Sequence, residues 1–479
     1  MSVSRAVGTL DLWLAGRAVE AADGRRYRLD NPFSGQPVVD AALGGRVEAE
    51  ASIEAAAKAF PLWSGLSGND RANRLQRAYS TLLQARGDLA ALLVAEQGKT
   101  AREADKEIRS TGAFLRFYAE EARRIGGRVV ASPDTDKRVL AIRQPVGVVA
   151  ALTAANFPGI MFGRKVAPAL AAGCTVVLKP AEEAPSLAVA LAAILQDAGI
   201  PDGVLNVVFG DAPAIAAAIM NDPRVRLVTF TGSVARGKQL MADAAPGLKR
   251  LVLELGGVAP FLVFDDADLA AAAEGLVQAK FRHAGQVCAS PQRVLVQDSI
   301  RARFIPILLD AVRALQVGDP ADRATDFGPV QNSRIASQVR DLVRDAVAKG
   351  AELLVDGTAG HGLMLGATVL TGITSTMLVA SEEAFGPVVA IETFATDEEA
   401  FGLANATSYG LGAYVYTQGL RRAWIAAEKL EAGVVGVNDP FPATIEGPFG
   451  GVKQSGFGLE GGRYGIDEFL LTKQVSFRI

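Results

Sequence analysis

Between residues 146 and 231 the chain alternates short, wholly apolar runs with alanine-rich stretches of helical period. The runs 146–152, 175–179, 205–209 and 227–231 each predict a strand buried on both faces, and each passes into a Gly/Pro turn or helical sequence. Strand–helix repetition of this kind across 146–250 is the order of a doubly wound α/β domain that binds a nucleotide. Upstream, residues 51–63, 71–93 and 106–124 predict helices with their charges on one face. A second alternating block runs from Leu251 to about Gly436. The last stretch, 469–479, alternates like a strand but has no sheet of its own, so it is expected to pair with another element or another subunit.

Composition narrows the function classes. At 479 residues and 49% hydrophobic, the chain fills two or three subdomains. Its 49 Lys+Arg against 52 Asp+Glu leave a net charge of -3 with no long run of either sign, which argues against nucleic acid or an anionic membrane as partner. Two cysteines make no disulfide framework and fit a reducing compartment. The longest apolar runs, 166–178 and 184–195, are too short to span a bilayer, and residues 1–10 lack a secretory apolar run. A soluble cytoplasmic protein is expected. No His/Cys cluster has the spacing of metal ligands, so no metal is expected.

Candidate chemistry is spread along the chain. A G-x-G-x-x-G pattern at Gly456, Gly458 and Gly461 follows polar residues instead of a strand, and so carries no nucleotide reading. In 227–237 a strand runs into Gly232 and Ser233 and a helix begins at once; this suits a pyrophosphate, with an ordinary capped turn as the alternative. Lys179 and Glu182 close another strand, where an acidic group can take both ribose hydroxyls and repel a 2′-phosphate. Asn156 offers an amide directly after the strand 146–152. Glu254, between apolar neighbours and Gly256-Gly257, has the setting that raises a carboxyl towards a general base's range. Glu383 and Phe385 share a tight turn. Cys288 follows Arg282, His283 and a Gly285-Gln286 step, and is either a nucleophile or a small buried hydrophobe.

Taken in order, Asn156-Phe-Pro, Lys179-Pro-Ala-Glu182, Phe230-Thr-Gly-Ser233, Glu254-Leu-Gly-Gly257, Gly285-Gln-Val-Cys288, Glu383-Ala-Phe-Gly-Pro387 and Pro448-Phe-Gly-Gly451 resemble the aldehyde dehydrogenase superfamily over nearly the whole chain. The resemblance implies that Cys288 attacks an aldehyde, that the Asn156 amide and the Cys288 N–H hold the oxyanion, and that Glu254 activates water to release the acid. By the same resemblance Lys179 and Glu182 hold the adenosine ribose, and Phe230, Gly232, Ser233 and Gly256 flank the cofactor. Glu383 and Phe385 take the nicotinamide ribose. The cofactor is NAD, with NADP as the alternative. His283 has no acid–base role and Cys174 is core.

The implied architecture is a Rossmann-type NAD-binding domain (1–122 and 144–250), a catalytic domain (251–436), a β oligomerisation arm (123–143 and 460–479) and a return segment lining the active site (437–459). The implied assembly is a homodimer or homotetramer. Arg164 and Arg282 match positions that grip a distal carboxylate in succinic semialdehyde dehydrogenases, and 280–293 looks closer to α-ketoglutaric semialdehyde dehydrogenases. An ω-carboxylate semialdehyde is therefore the expected substrate. Ala155 stands where the family commonly has tryptophan; this is expected to enlarge or reshape the region around Asn156, and it motivates the alternative of bulky or aromatic aldehydes. A CoA-acylating enzyme and a catalytically silent scaffold are further alternatives. Ser290 removes the redox partner that some relatives place two residues after the nucleophile.

Overall fold

The computed structural model describes residues 8–479. Residues 1–7, part of the stretch expected to lack a secretory run, lie outside the described residues. Strand Val148–Leu152 is buried at every position and forms the middle of an eight-stranded sheet. Its parallel neighbours are Thr175–Lys179 on one side and Val225–Thr231 on the other, with Arg250–Glu254 parallel to the latter. The chain thus builds outward in one direction, then returns to build in the other. Where it reverses, the helices that follow adjacent strands lie on opposite faces, and a crevice opens at the strands' carboxyl ends. Thr153, Asn156 and Gly232 all stand at that edge.

A second, seven-stranded sheet contains the parallel strands Ala259–Val263, Pro291–Gln297, Val388–Phe394 and Gly412–Tyr416. Each large sheet has its own apolar core, the first extending to Ile466, Phe469 and Leu470 and the second confined to residues 259–416. A three-stranded antiparallel sheet of Arg128–Val130, Lys137–Pro145 and Leu470–Arg478 projects from the first. The C-terminal strand accordingly pairs with residues 137–145. Among the described residues no helix is long and apolar enough to cross a membrane, and no group of His, Cys, Asp and Glu is placed to hold a metal.

Three expected boundaries move. Arg250–Glu254 belongs to the first sheet, so the change of sheet falls after Glu254 and not at Leu251. Residues 460–469 are not arm: Glu460 is buried, and Ile466 and Phe469 pack into the first core. The helix expected over 71–93 is two, Gly68–Gln84 and Arg86–Gln97, broken at Ala85 (ψ 6°). The break re-aims the chain so that Leu82 and Leu89 both reach the core.

Candidate active site

Cys288 sits at the end of a loop with a backbone that few sequences could form. His283 and Ala284 have φ of 50° and 53°, and Gly285 has φ of 76°. A Cβ at Gly285 would stand 2.2 Å from the Gly386 carbonyl oxygen, so only glycine lets this loop pack on the turn that carries Glu383 and Phe385. Gln286 fixes the loop from within: its side-chain amide donates to the His283 carbonyl (3.0 Å) and its Oε1 accepts the Gln331 N–H (2.9 Å). The Asn156 amide donates to the Gln286 carbonyl at 2.9 Å, which ties the strand-end asparagine to the cysteine loop. Burial pushes the Cys288 thiol up to about 12; the Glu254 carboxylate adds to the rise and the Arg164 guanidinium opposes it.

Glu254 closes its strand with both carboxylate oxygens buried and without a partner. Burial first, then the charge of Glu460, raises its carboxyl well above the ordinary value, while Lys165 and Arg164 pull it down. Glu460 itself pairs with buried Lys165 at 2.5 Å, and Lys165 also donates to Thr229 Oγ1 at 2.9 Å.

Two cavities meet at Asn156, Thr231, Glu254 and Cys288. The larger, about 750 Å³, is lined by Lys179, Glu182, Gly232, Ser233, Gly256, Glu383 and Phe385. Lys179 and Glu182 pair at 2.5 Å at one end. Ser233 caps helix Val234–Ala244, whose first turn faces the cleft. Glu383 accepts the Gly257 N–H at 3.3 Å, and its Oε2 lies 2.3 Å from where a Gly256 Cβ would be. Burial pushes the Glu383 carboxyl up to about 7, against the pull of Lys280. The carboxylates of Glu182 and Glu383 can accept from ribose hydroxyls and the amides at the helix start can donate to a pyrophosphate, a set that suits an extended dinucleotide. Phe230 departs from expectation: Thr231 lines the cleft, so its neighbour points to the opposite face, and the Phe230 ring packs under Gly232 and against the core.

The smaller cavity, about 110 Å³, lies on the other side of Cys288 and contains Arg164 and Arg282, walled by Phe157, Tyr414, Phe441 and Phe449. The Arg164 guanidinium lies 3.8 Å from the Phe449 ring centre; that of Arg282 lies 5.3 Å from Phe157 and 5.4 Å from Phe441. Neither arginine has an ion-pair or hydrogen-bond partner among the described residues, and the Nε of each is buried. Aromatic faces hold both cations, leaving their planar forks free.

Ala155 lines the larger cleft beside Asn156 and does not line the pocket that contains Arg164. His283 lines neither cavity; it is buried edge-on to Phe157 (5.5 Å), and burial beside Lys99 and Arg282 holds its imidazole well below its usual range. Cys174 is fully buried in the core. Sequence reasoning assigned no role to Lys165 or Glu460. Both read as surface charges, and only the position of Glu460 between Leu459 and Gly461-Gly462 hinted otherwise.

A cysteine loop, a strand-end glutamate and an asparagine at the junction of a dinucleotide-sized cleft and a smaller pocket define an aldehyde-oxidising site. The chain belongs to the aldehyde dehydrogenase family, whose model matches residues 19–475. It is 44% identical over 465 residues to the mitochondrial succinate-semialdehyde dehydrogenase of Arabidopsis thaliana, covering 96% of this chain and 88% of that one. It is 41% identical over 465 residues to the glutarate-semialdehyde dehydrogenase of Pseudomonas aeruginosa, covering 97% and 96%. The crystal structure of succinate-semialdehyde dehydrogenase from Burkholderia pseudomallei matches with a TM-score of 0.96 at 42% identity, covering 98% of each chain.

Proposed function

We propose that this enzyme oxidises a short aldehyde bearing a carboxylate at its far end, a semialdehyde of the succinic, glutaric or α-ketoglutaric type, to the corresponding acid. The observation that carries the reading is the pair of unpartnered arginines in one small pocket beside Cys288. Two half-buried guanidinium groups, neither paired with the Glu254 or Glu460 carboxylate that shares the pocket, suit an anionic ligand, and a carboxylate meets guanidinium forks bidentately. The small volume, about 110 Å³, disfavours the bulky-aldehyde alternative.

In this reading the Cys288 thiolate adds to the aldehyde carbon. The second amide hydrogen of Asn156, not used by Gln286, and the Cys288 N–H hold the oxyanion. Lys179, Glu182, Ser233 and Glu383 would hold the dinucleotide, which would supply the hydride acceptor. Glu254, its oxygens free of other partners, takes a proton from the water that opens the thioester.

Replacing Arg282 by alanine is expected to cost about 1.5–3 kcal/mol in kcat/KM for succinic semialdehyde, the scale of hydrogen bonds to a charged group, and far less for butyraldehyde. Equal losses on the two substrates would refute the carboxylate clamp. Glu182 favours NAD by repelling a 2′-phosphate. Glu182→Gln is expected to raise the NADP-to-NAD ratio of kcat/KM by about tenfold or more, since removing a like charge relieves repulsion; an unchanged ratio would show that Glu182 does not discriminate. The three-stranded sheet, with Val129, Leu471 and Phe477 exposed, fits assembly as a homodimer or homotetramer.

A further inference from the structure

Residues 97–107 come from the helical first quarter of the chain, yet they grip the backbone on both sides of the reacting groups. The Gln97 side-chain amide donates to the Ala155 carbonyl at 2.7 Å. Lys99 donates to the Asn156 carbonyl at 2.8 Å, lies 4.1 Å from the Phe157 ring centre and pairs with Glu107. Glu107 Oε1 in turn accepts the N–H groups of Gly159 (2.8 Å) and Ile160 (3.4 Å), among the first amides of helix Pro158–Ala172, which carries Arg164 and Lys165. Glu103 accepts the His283 N–H at 2.7 Å, so the same stretch also holds the cysteine loop.

The Lys99 and Glu107 side chains are 0% and 1% exposed, and neither lines a cavity. A buried ion pair gives little net stability over apolar residues of the same volume. What this pair provides is direction: its hydrogen bonds end on the backbone immediately around Asn156, at the carbonyl of Asn156 itself and at the amides three and four residues on. With the Asn156 carbonyl held from one side and its amide tied to Gln286 on the other, the side chain has one orientation to offer an oxyanion.

We propose that Lys99 and Glu107 are positioning residues, which together fix the Asn156 turn so that its amide meets the oxyanion of the aldehyde adduct. This rests on the role given above to Asn156. The test compares Asn156→Ala, Lys99→Met and Lys99→Arg in two assays: the first-turnover rate of NADH formation with succinic semialdehyde and NAD, and the rate of Cys288 alkylation by iodoacetamide. Alkylation forms no oxyanion, and the only other cysteine is buried.

Asn156→Ala is expected to slow the first turnover by about 10²–10³-fold, as for the loss of an oxyanion donor. Lys99→Met is expected to slow the same step about tenfold to a hundredfold, the effect of misplacing a catalytic group without removing it. Its KM for NAD and its alkylation rate should be unchanged. Lys99→Arg, which keeps a charged donor, should recover part of the loss. If Lys99→Met fails to fold because the Glu107 charge is left alone, Lys99→Met/Glu107→Gln removes both charges and keeps an acceptor for Gly159. Full first-turnover rate in the Lys99 variants, with the loss confined to Asn156→Ala, would overturn the positioning proposal and leave Asn156 standing. Parallel losses in NADH formation and alkylation would also overturn it, as general damage to the site. A full rate in Asn156→Ala would instead remove the oxyanion reading on which the proposal is built.

Discussion

A Cys288→Ala variant is expected to lose aldehyde oxidation by about 10⁴-fold or more while binding NAD as the wild type does, because removing a nucleophile deletes the covalent step outright. The junction of the two cavities supplies no substitute. Asn156 is an amide and Glu254 a weak nucleophile; Thr231 is the one hydroxyl there. Cys174 cannot take over, since it is buried in the first core, its thiol pushed up to about 11 by burial, and its Sγ contacts the Phe469 carbonyl oxygen at 3.4 Å. NAD binding should survive because the groups facing the larger cleft are distributed over several strands and turns, none built on the thiol. The measurement is steady-state NADH production beside calorimetric titration with NAD. Residual activity above about one hundredth of wild type would place the nucleophile elsewhere, since loss of a covalent catalyst exceeds that scale.

Glu254→Gln is expected to separate the two halves of the reaction. The thioester should still form, giving a burst of about one NADH per site, while steady turnover falls by about 10²–10⁴-fold, the usual contribution of a general base. The amide cannot accept a proton from water, but it preserves the size of the strand-end side chain. In the wild type, burial and the neighbouring Glu460 raise the Glu254 carboxyl well above its ordinary value. Its active form is the deprotonated one, so turnover should fall as pH is lowered through that raised value. The glutamine variant should lack this acid limb. A variant with neither burst nor turnover would show that Glu254 acts before the thioester forms. Because Glu254 also holds the Cys288 thiol up, its neutralisation should make alkylation of Cys288 start at lower pH than in the wild type.

The parts of the site that the sequence showed are those where local pattern and global position coincide. Asn156, Lys179 and Ser233 each follow a run of buried strand residues, and a strand's end in a doubly wound sheet is where ligands lie. Cys288 was legible only together with Asn156 and Glu254, since alone it read equally as a small buried hydrophobe; the left-handed backbone of Gly285 and its close approach to Gly386 show only in the structure. Phe230 misled because a motif names neighbours without saying which face each one takes, and period-two alternation turned its ring away from the cleft. Lys99, Glu107 and Lys165 were illegible for another reason. Lys99 stands in the link between two helices, Glu107 on a charged helix and Lys165 on an apolar one, and in each setting a buried ion pair looks the same as a solvated one until the packing partner is known. The helix break at Ala85 and the start of the second sheet after Glu254 likewise depend on where distant strands pair.

The last forty residues of the chain have a consequence for synthesis. Strand Gly456–Phe457 pairs with Arg250–Glu254 at Glu254 itself, Phe449 covers Arg164, Phe441 covers Arg282, and Glu460 faces Lys165. Both large sheets can be assembled before any of these arrives, because their remaining strands lie upstream. A polypeptide emerging from the ribosome therefore carries the thiol and the asparagine well before it has a walled aldehyde pocket or a shielded glutamate. Truncation after residue 440 is expected to abolish turnover while leaving the thiol and the asparagine in the chain, because Phe441, Phe449 and Glu460 are lost from the aldehyde pocket.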